Sequence, residues 1–167
     1  MEARPKIEVP QTSADKAAEI FAWGALVLLW AVTIAGLFRL PDTIPVHFNG
    51  AGLADHYGEK GSLIQLPLVA TALFAALTAL SKYPHVLNYP TPITPTNALS
   101  QYRGAIRLAR GLKTGIVSVF LWLVIQTWQT AIGQAAGLGA WDMPITLGLL
   151  LVLPVGYYLV SLAQKQP

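Results

Sequence analysis

Cysteine is absent from this chain. That excludes disulfides, thiol nucleophiles and thiolate zinc sites. Charge is scarce as well. Only 11% of the residues are charged and 54% are hydrophobic, against roughly 25% charged in a soluble domain. With a mean hydropathy of +0.51, this deficit points to a bilayer. The net charge of +3 and pI near 9.3 would suit nucleic acid, but the basic residues flank apolar runs. Membrane lipids are therefore the expected partner, and nucleic acid is not. Also lacking is any Asp, Glu, Lys, Arg or His deep within an apolar run. Proton relays and ion pumps need such groups, so a transporter is disfavoured.

Four apolar runs are present, spanning about 17–38, 63–81, 112–132 and 144–163. The first reaches ~33 Å as a helix, enough to cross a hydrocarbon core of ~30 Å. It is too long for a signal peptide and ends Phe38-Arg39-Leu40-Pro41, so it reads as an uncleaved anchor. The predicted fold is all-α integral membrane: four transmembrane helices in one domain over 14–163, with short tails at 1–13 and 164–167. The N-terminal tail carries Pro5 and Pro10 and reads as loose.

Local signals mark the helix ends. Thr12 and Asp15, and again Ser62 and Gln65, have capping-box spacing. Pro67 should bend the second helix locally and Pro154 should kink the fourth. Ala72, Ala75, Ala76 and Ala79 form a small-residue face for another helix. Residues 82–111 combine a Pro-rich connector (Pro84, Pro90, Pro92, Pro95) with a basic helix that Thr94 or Thr96 can cap. Gly111 and Gly115 form a GxxxG packing motif. Gly133 to Ala140 reads as a turn, and Asp142 can cap the last helix.

Orientation follows from Lys and Arg. Nine of the eleven flank the tails and the 82–111 segment; Arg39 and Lys60 stand alone at the other side. Both termini are expected in the cytoplasm, with the 39–61 loop outside. The expected location is a bacterial inner membrane.

That loop holds two of the three histidines and three of the eight acidic residues. Ile44, Val46 and Phe48 alternate with Pro45, His47 and Asn49, a strand pattern, and Asn49-Gly50 is a turn signal. The expectation is an ordered outer loop or hairpin between helices one and two. In it, His47 or Asn49 hydrogen-bonds within the loop, and Asp55 bonds a backbone N–H or Lys60. His47 and His56, with Asp42, Asp55 and Glu59, have the donors of a zinc-type site. The alternative is that these groups satisfy loop backbone. No HExxH or other fixed ligand spacing is present, so the sequence assigns no metal and no cofactor.

Two further polar sets each carry two readings. Gln126, Gln129 and Thr130 share a helix face, either as a patch beneath the loop or as interhelical hydrogen bonds. Arg103, Arg107, Arg110 and Lys113 share another face. They either contact lipid headgroups or a cytoplasmic partner, or only set orientation.

The loop also resembles a known family. Leu40-Pro41-Asp42-x-Ile44-Pro45-x-His47-Phe48-Asn49-x-x-Gly52-x-x-Asp55-x-x-x-x-Lys60 is similar to the signature of a bacterial membrane domain of unknown function. That domain also forms the N-terminal part of SdpI-type immunity proteins. The resemblance marks Pro41, Asp42, Pro45, His47, Asn49, Gly52, Asp55 and Lys60 as signature residues. It implies a non-enzymatic membrane protein of the immunity or envelope-sensing type, with a secreted peptide as ligand. The second half of the chain lacks the C-terminal domain of the immunity proteins. Two alternatives stand beside this reading. One is a structural accessory subunit that binds other membrane subunits. The other is a metal-dependent membrane enzyme.

Overall fold

The computed structural model describes residues 4–163. The expected 164–167 tail, with Lys165, lies outside them. Helix α1 runs Ser13–Arg39, α2 Gln65–Lys82, α3 Ala98–Ala131 and α4 Asp142–Ala163. All four are long and apolar enough to cross a membrane. Between α1 and α2 lies a two-stranded antiparallel sheet, β1 (Thr43–Phe48) and β2 (Ala54–Glu59). The fold is thus mostly helical but not all-α, because the loop backbone pairs with itself.

Each helix buries one stripe. On α1 the buried positions Ala22, Leu26, Leu29, Thr33 and Gly36 recur every three or four residues, the spacing of a single helical face. Other large apolar residues of α1, among them Ile20, Phe21, Val27 and Phe38, stay exposed, as a lipid-facing surface requires. Helix α3 is central and packs against α1, α2 and α4. Helix α4 lies outside. Among its described side chains only Ser161 is buried, where its hydroxyl bonds Gln101 Oε1 at 2.8 Å.

Small residues set the α3–α4 spacing. A Cβ on Gly104 would stand 3.1 Å from Tyr157, one on Gly111 3.1 Å from Leu153, and one on Gly115 3.7 Å from Leu150. The GxxxG pair thus does pack a helix, and Gly104 extends its row. By contrast Ala72, Ala75, Ala76 and Ala79 are all exposed. The buried side of α2 is Pro67, Ala70 and Phe74, so the alanine face is turned away from the bundle. Helix α4 continues unbroken through Pro154, whose missing N–H leaves the Leu150 carbonyl without its helical donor.

Several end signals form as expected and others do not. Thr12 and Asp15 make the full capping box. Ser62 and Gln65 do not. A 3-10 turn, Lys60–Ile64, precedes α2, and the Ser62 hydroxyl donates back to the Glu59 carbonyl at 2.7 Å. At α3 the Thr94 hydroxyl accepts from Asn97 N, and the Asn97 carboxamide accepts from Thr94 N. The Asp142 carboxylate accepts from the Trp122 indole at 2.5 Å, tying α4 to α3.

The N-terminal segment is docked rather than loose. The Tyr102 hydroxyl donates to the Pro5 carbonyl at 3.1 Å. Arg4 donates to the carbonyls of His85 and Leu87 and lies 5.7 Å from the Tyr89 ring centroid. The Pro-rich connector supplies acceptors that no regular helix consumes, and the cation takes them.

Candidate functional site

The hairpin is built residue by residue from the stretch beginning at Leu40. Leu40 caps α1, donating its N–H to the Gly36 carbonyl, and Pro41 follows, where a helix cannot continue. Lys60 then closes the base. Its ammonium pairs with Asp42 at 2.8 Å and reaches the Leu40 carbonyl at 3.4 Å. Its backbone N–H donates to the Asp42 carbonyl at 2.9 Å. The Lys60 ammonium holds the exposed Asp42 carboxyl below its usual range. The expected Asp55–Lys60 bond does not form, because Lys60 serves the base while Asp55 lies near the tip.

Ile44 and Pro45 are both buried, and Val46 is exposed. Strict alternation therefore fails. The pairing runs Thr43 to Glu59, Ile44 to Gly58, Pro45 to Tyr57, His47 to His56 and Phe48 to Ala54, with register shifts on both sides of His47. Pro45 has no N–H to give the ladder, and a bulge is where such a residue fits. The turn is longer than a two-residue Asn-Gly turn. Asn49 Oδ1 accepts from the N–H groups of Ala51 and Leu53, at 2.9 and 3.1 Å. The positive φ of +76° falls at Gly52, not Gly50.

Gly52 also clamps the hairpin to the rest of the bundle. Its carbonyl accepts from Leu138 N at 2.7 Å, and Leu53 forms a bridge with Gly137. A Cβ on Gly52 would stand 2.3 Å from the Gly139 carbonyl oxygen, so only glycine allows these two backbones to meet. The loop between α3 and α4 thus locks onto the hairpin at one end of the bundle. Gln126 joins the contact by donating to the Gly137 carbonyl at 3.5 Å. Beneath β1 lies a cleft of about 260 Å³, lined among others by Ile44, His47, Leu66 and Thr127.

At the tip three ionisable groups converge. His47 Nδ1 lies 2.6 Å and His56 Nδ1 3.6 Å from the same Asp55 oxygen. The side chains of His47, Asp55 and His56 are 63%, 36% and 78% exposed. His47 holds the Asp55 carboxyl below its usual range, chiefly by that hydrogen bond. Sequence spacing puts the histidines nine apart; the register brings their ring centroids to 6.0 Å. His85 lies beyond α2 in the connector and takes no part.

The basic face of α3 is placed otherwise than as a free stripe. Arg107 bonds Asp15 at 3.0 Å, and Arg110 stands 3.3 Å from Asp15 and 3.5 Å from Glu19. Lys113 is 1% exposed and bonds both Glu19 and Thr78. Three of the four cations therefore face α1 acids. Arg103 is half-buried, and its Nε has no partner. Sequence reasoning gave Asp15 only its capping role and passed over Glu19 altogether. Their i, i+4 spacing on α1, matching the basic row on α3, was the available signal.

Comparison with known proteins adds a family likeness limited to this region. Residues 24–71 match the family model described as a domain of unknown function (DUF1648). The match covers the later part of α1, the hairpin and the first turns of α2. An uncharacterized protein of Archaeoglobus fulgidus is 33% identical over 89 residues, which is 48% of this chain and 49% of that protein. The chain thus spans about half the length of that curated relative. No solved structure matches.

Proposed function

We propose that this chain is a non-enzymatic multi-pass membrane protein of the immunity or envelope-sensing type, with the hairpin as its recognition element. One observation carries the reading. The hairpin is fixed at its base by Lys60 and at its tip by Leu138, yet Val46, Leu53, His56 and Tyr57 stand exposed on it. A rigid element with mixed apolar and polar exposure suits contact with a peptide or protein. Enzyme sites enclose their substrates more fully. The distribution of basic residues supports a hairpin on the outer face of the cytoplasmic membrane with both termini inside. The SdpI-type resemblance of the 40–60 signature supports the same reading, with a secreted peptide as ligand.

A second reading, an accessory subunit of a larger membrane complex, is favoured by the open alanine face of α2 and the uncovered α4. Small residues let a partner helix approach closely. Photo-crosslinking in living cells separates the two. A crosslinker at Tyr57 captures a peptide or envelope protein if the hairpin recognises one. A crosslinker at Ala76 captures a stoichiometric membrane subunit if α2 is an assembly face. Capture from Ala76 alone would overturn the recognition reading, and lipid adducts alone at both positions would overturn both.

A further inference from the structure

We propose that the hairpin tip binds a divalent transition-metal ion of the zinc class through His47, Asp55 and His56. The proposal stands on this geometry and does not depend on what the hairpin recognises. One ligand atom from each of the three residues lies within 4.8 Å of the other two. Donors ~2.0–2.1 Å from a tetrahedral ion stand ~3.3 Å from one another. The two separations from Asp55, 2.6 Å to His47 and 3.6 Å to His56, lie on either side of that value. All three donors lie close enough to one another to face a single ion.

The backbone supplies the reason these groups converge. In a regular strand, neighbours Asp55 and His56 would point to opposite faces. The register shifts around His47 break that rule and let both approach the same ring. The tip is also anchored, by Asn49 within the turn and by Leu138 and Gly137 from the α3–α4 loop. A preformed site loses little entropy when an ion enters. The one nearby cation of the hairpin, Lys60, is held at the base by Asp42, so it does not neutralise Asp55.

Two imidazoles and a carboxylate suit zinc and its first-row neighbours, and fit magnesium or calcium poorly. Three protein donors leave one tetrahedral position for water. With no cysteine in the chain, thiolate cannot compete for the ion.

The test uses the full chain, tag-free and in detergent, stripped with a chelator and titrated with zinc by calorimetry. Cobalt serves as a spectroscopic probe. The wild type should take up one equivalent of zinc and give the intense visible bands of tetrahedral cobalt. His47→Ala and His56→Ala should each weaken binding by more than the ~10-fold that losing an outer-shell partner already costs. His85→Ala should bind as the wild type does. His56 is exposed, so metal-free His56→Ala should melt with the wild type, which separates loss of a ligand from loss of fold. Zinc affinity unchanged in His47→Ala/His56→Ala, no uptake by the stripped wild type, or a weak octahedral cobalt spectrum would each overturn the proposal.

Discussion

Glu19→Leu removes the carboxylate that Lys113 faces. The Lys113 side chain is 1% exposed. Its ammonium bonds Glu19 and Thr78 and lies 4.6 Å from the Phe74 ring centroid. After the substitution it keeps one neutral hydroxyl and one ring face. Removing a single partner of a buried ion pair costs ~3–5 kcal/mol. The surviving contacts, and the 28% exposure of Glu19, place this case near the lower bound, ~3 kcal/mol. Lys113→Met should cost less, ~1 kcal/mol, since Glu19 retains Arg110 and reaches water.

The double variant Glu19→Leu/Lys113→Met removes both charges and restores similar volume, a change often neutral or stabilising. The three variants should therefore be strongly non-additive, with a coupling energy of ~4 kcal/mol where the double variant is neutral. Unfolding in SDS mixed micelles, followed by the fluorescence of the five tryptophans, measures each step. If Glu19→Leu costs under ~1 kcal/mol, or if the two effects add, Lys113 is not held by Glu19. The basic face would then be reaching headgroups, as its sequence pattern also allowed.

Three further outcomes follow from local geometry. Gly52→Ala should cost ~1–3 kcal/mol from its positive φ alone, and more from the clash with Gly139. Hydrogen exchange at Leu138 N should accelerate, and unchanged protection would mean that the two loops do not meet. Gly111→Leu drives a side chain into Leu153 and should destabilise the chain by ~1–3 kcal/mol through overpacking. No loss in SDS unfolding would mean that α4 does not seat on this row. On the Cys-free background, Ala51→Cys should react with an impermeant maleimide in intact cells and Asn88→Cys should not, as both sites are exposed. The reverse pattern would put the hairpin in the cytoplasm.

The parts legible in the sequence are those set by one segment's own pattern. Apolar length located the four helices, and the Thr12 box located the start of α1. Asn49-Gly50 marked the turn through turn chemistry, although the positive φ falls at Gly52. The Ile44–Phe48 alternation gave a strand, but not the burial of Pro45, because a bulge depends on which partner residue sits opposite. Asp42 and Lys60 were visible as signature residues, yet their pairing depends on how Pro41 and the 3-10 turn bring the two ends of the hairpin together.

The parts that were not legible depend on pairing between segments. Ser62 lost its box because the hairpin exit forms a 3-10 turn, which consumes the hydroxyl first. Arg107, Arg110 and Lys113 read as a free stripe because a helix face shows its charges but not its neighbour. Once α1 lies against α3, Asp15 and Glu19 fall opposite them. The orientation argument survives this change. It counts Lys and Arg near the ends of spans and gives little weight to acids, so neutralising three cations inside the bundle leaves the nine-to-two division of basic residues intact. What changes is the work those cations do. They join α1 to α3 at the end opposite the hairpin, while Leu138 and Gly52 join the loops at the other. The bundle is thus tied by charge at one end and by backbone at the other, and the hairpin sits on the end where the backbone fixes it.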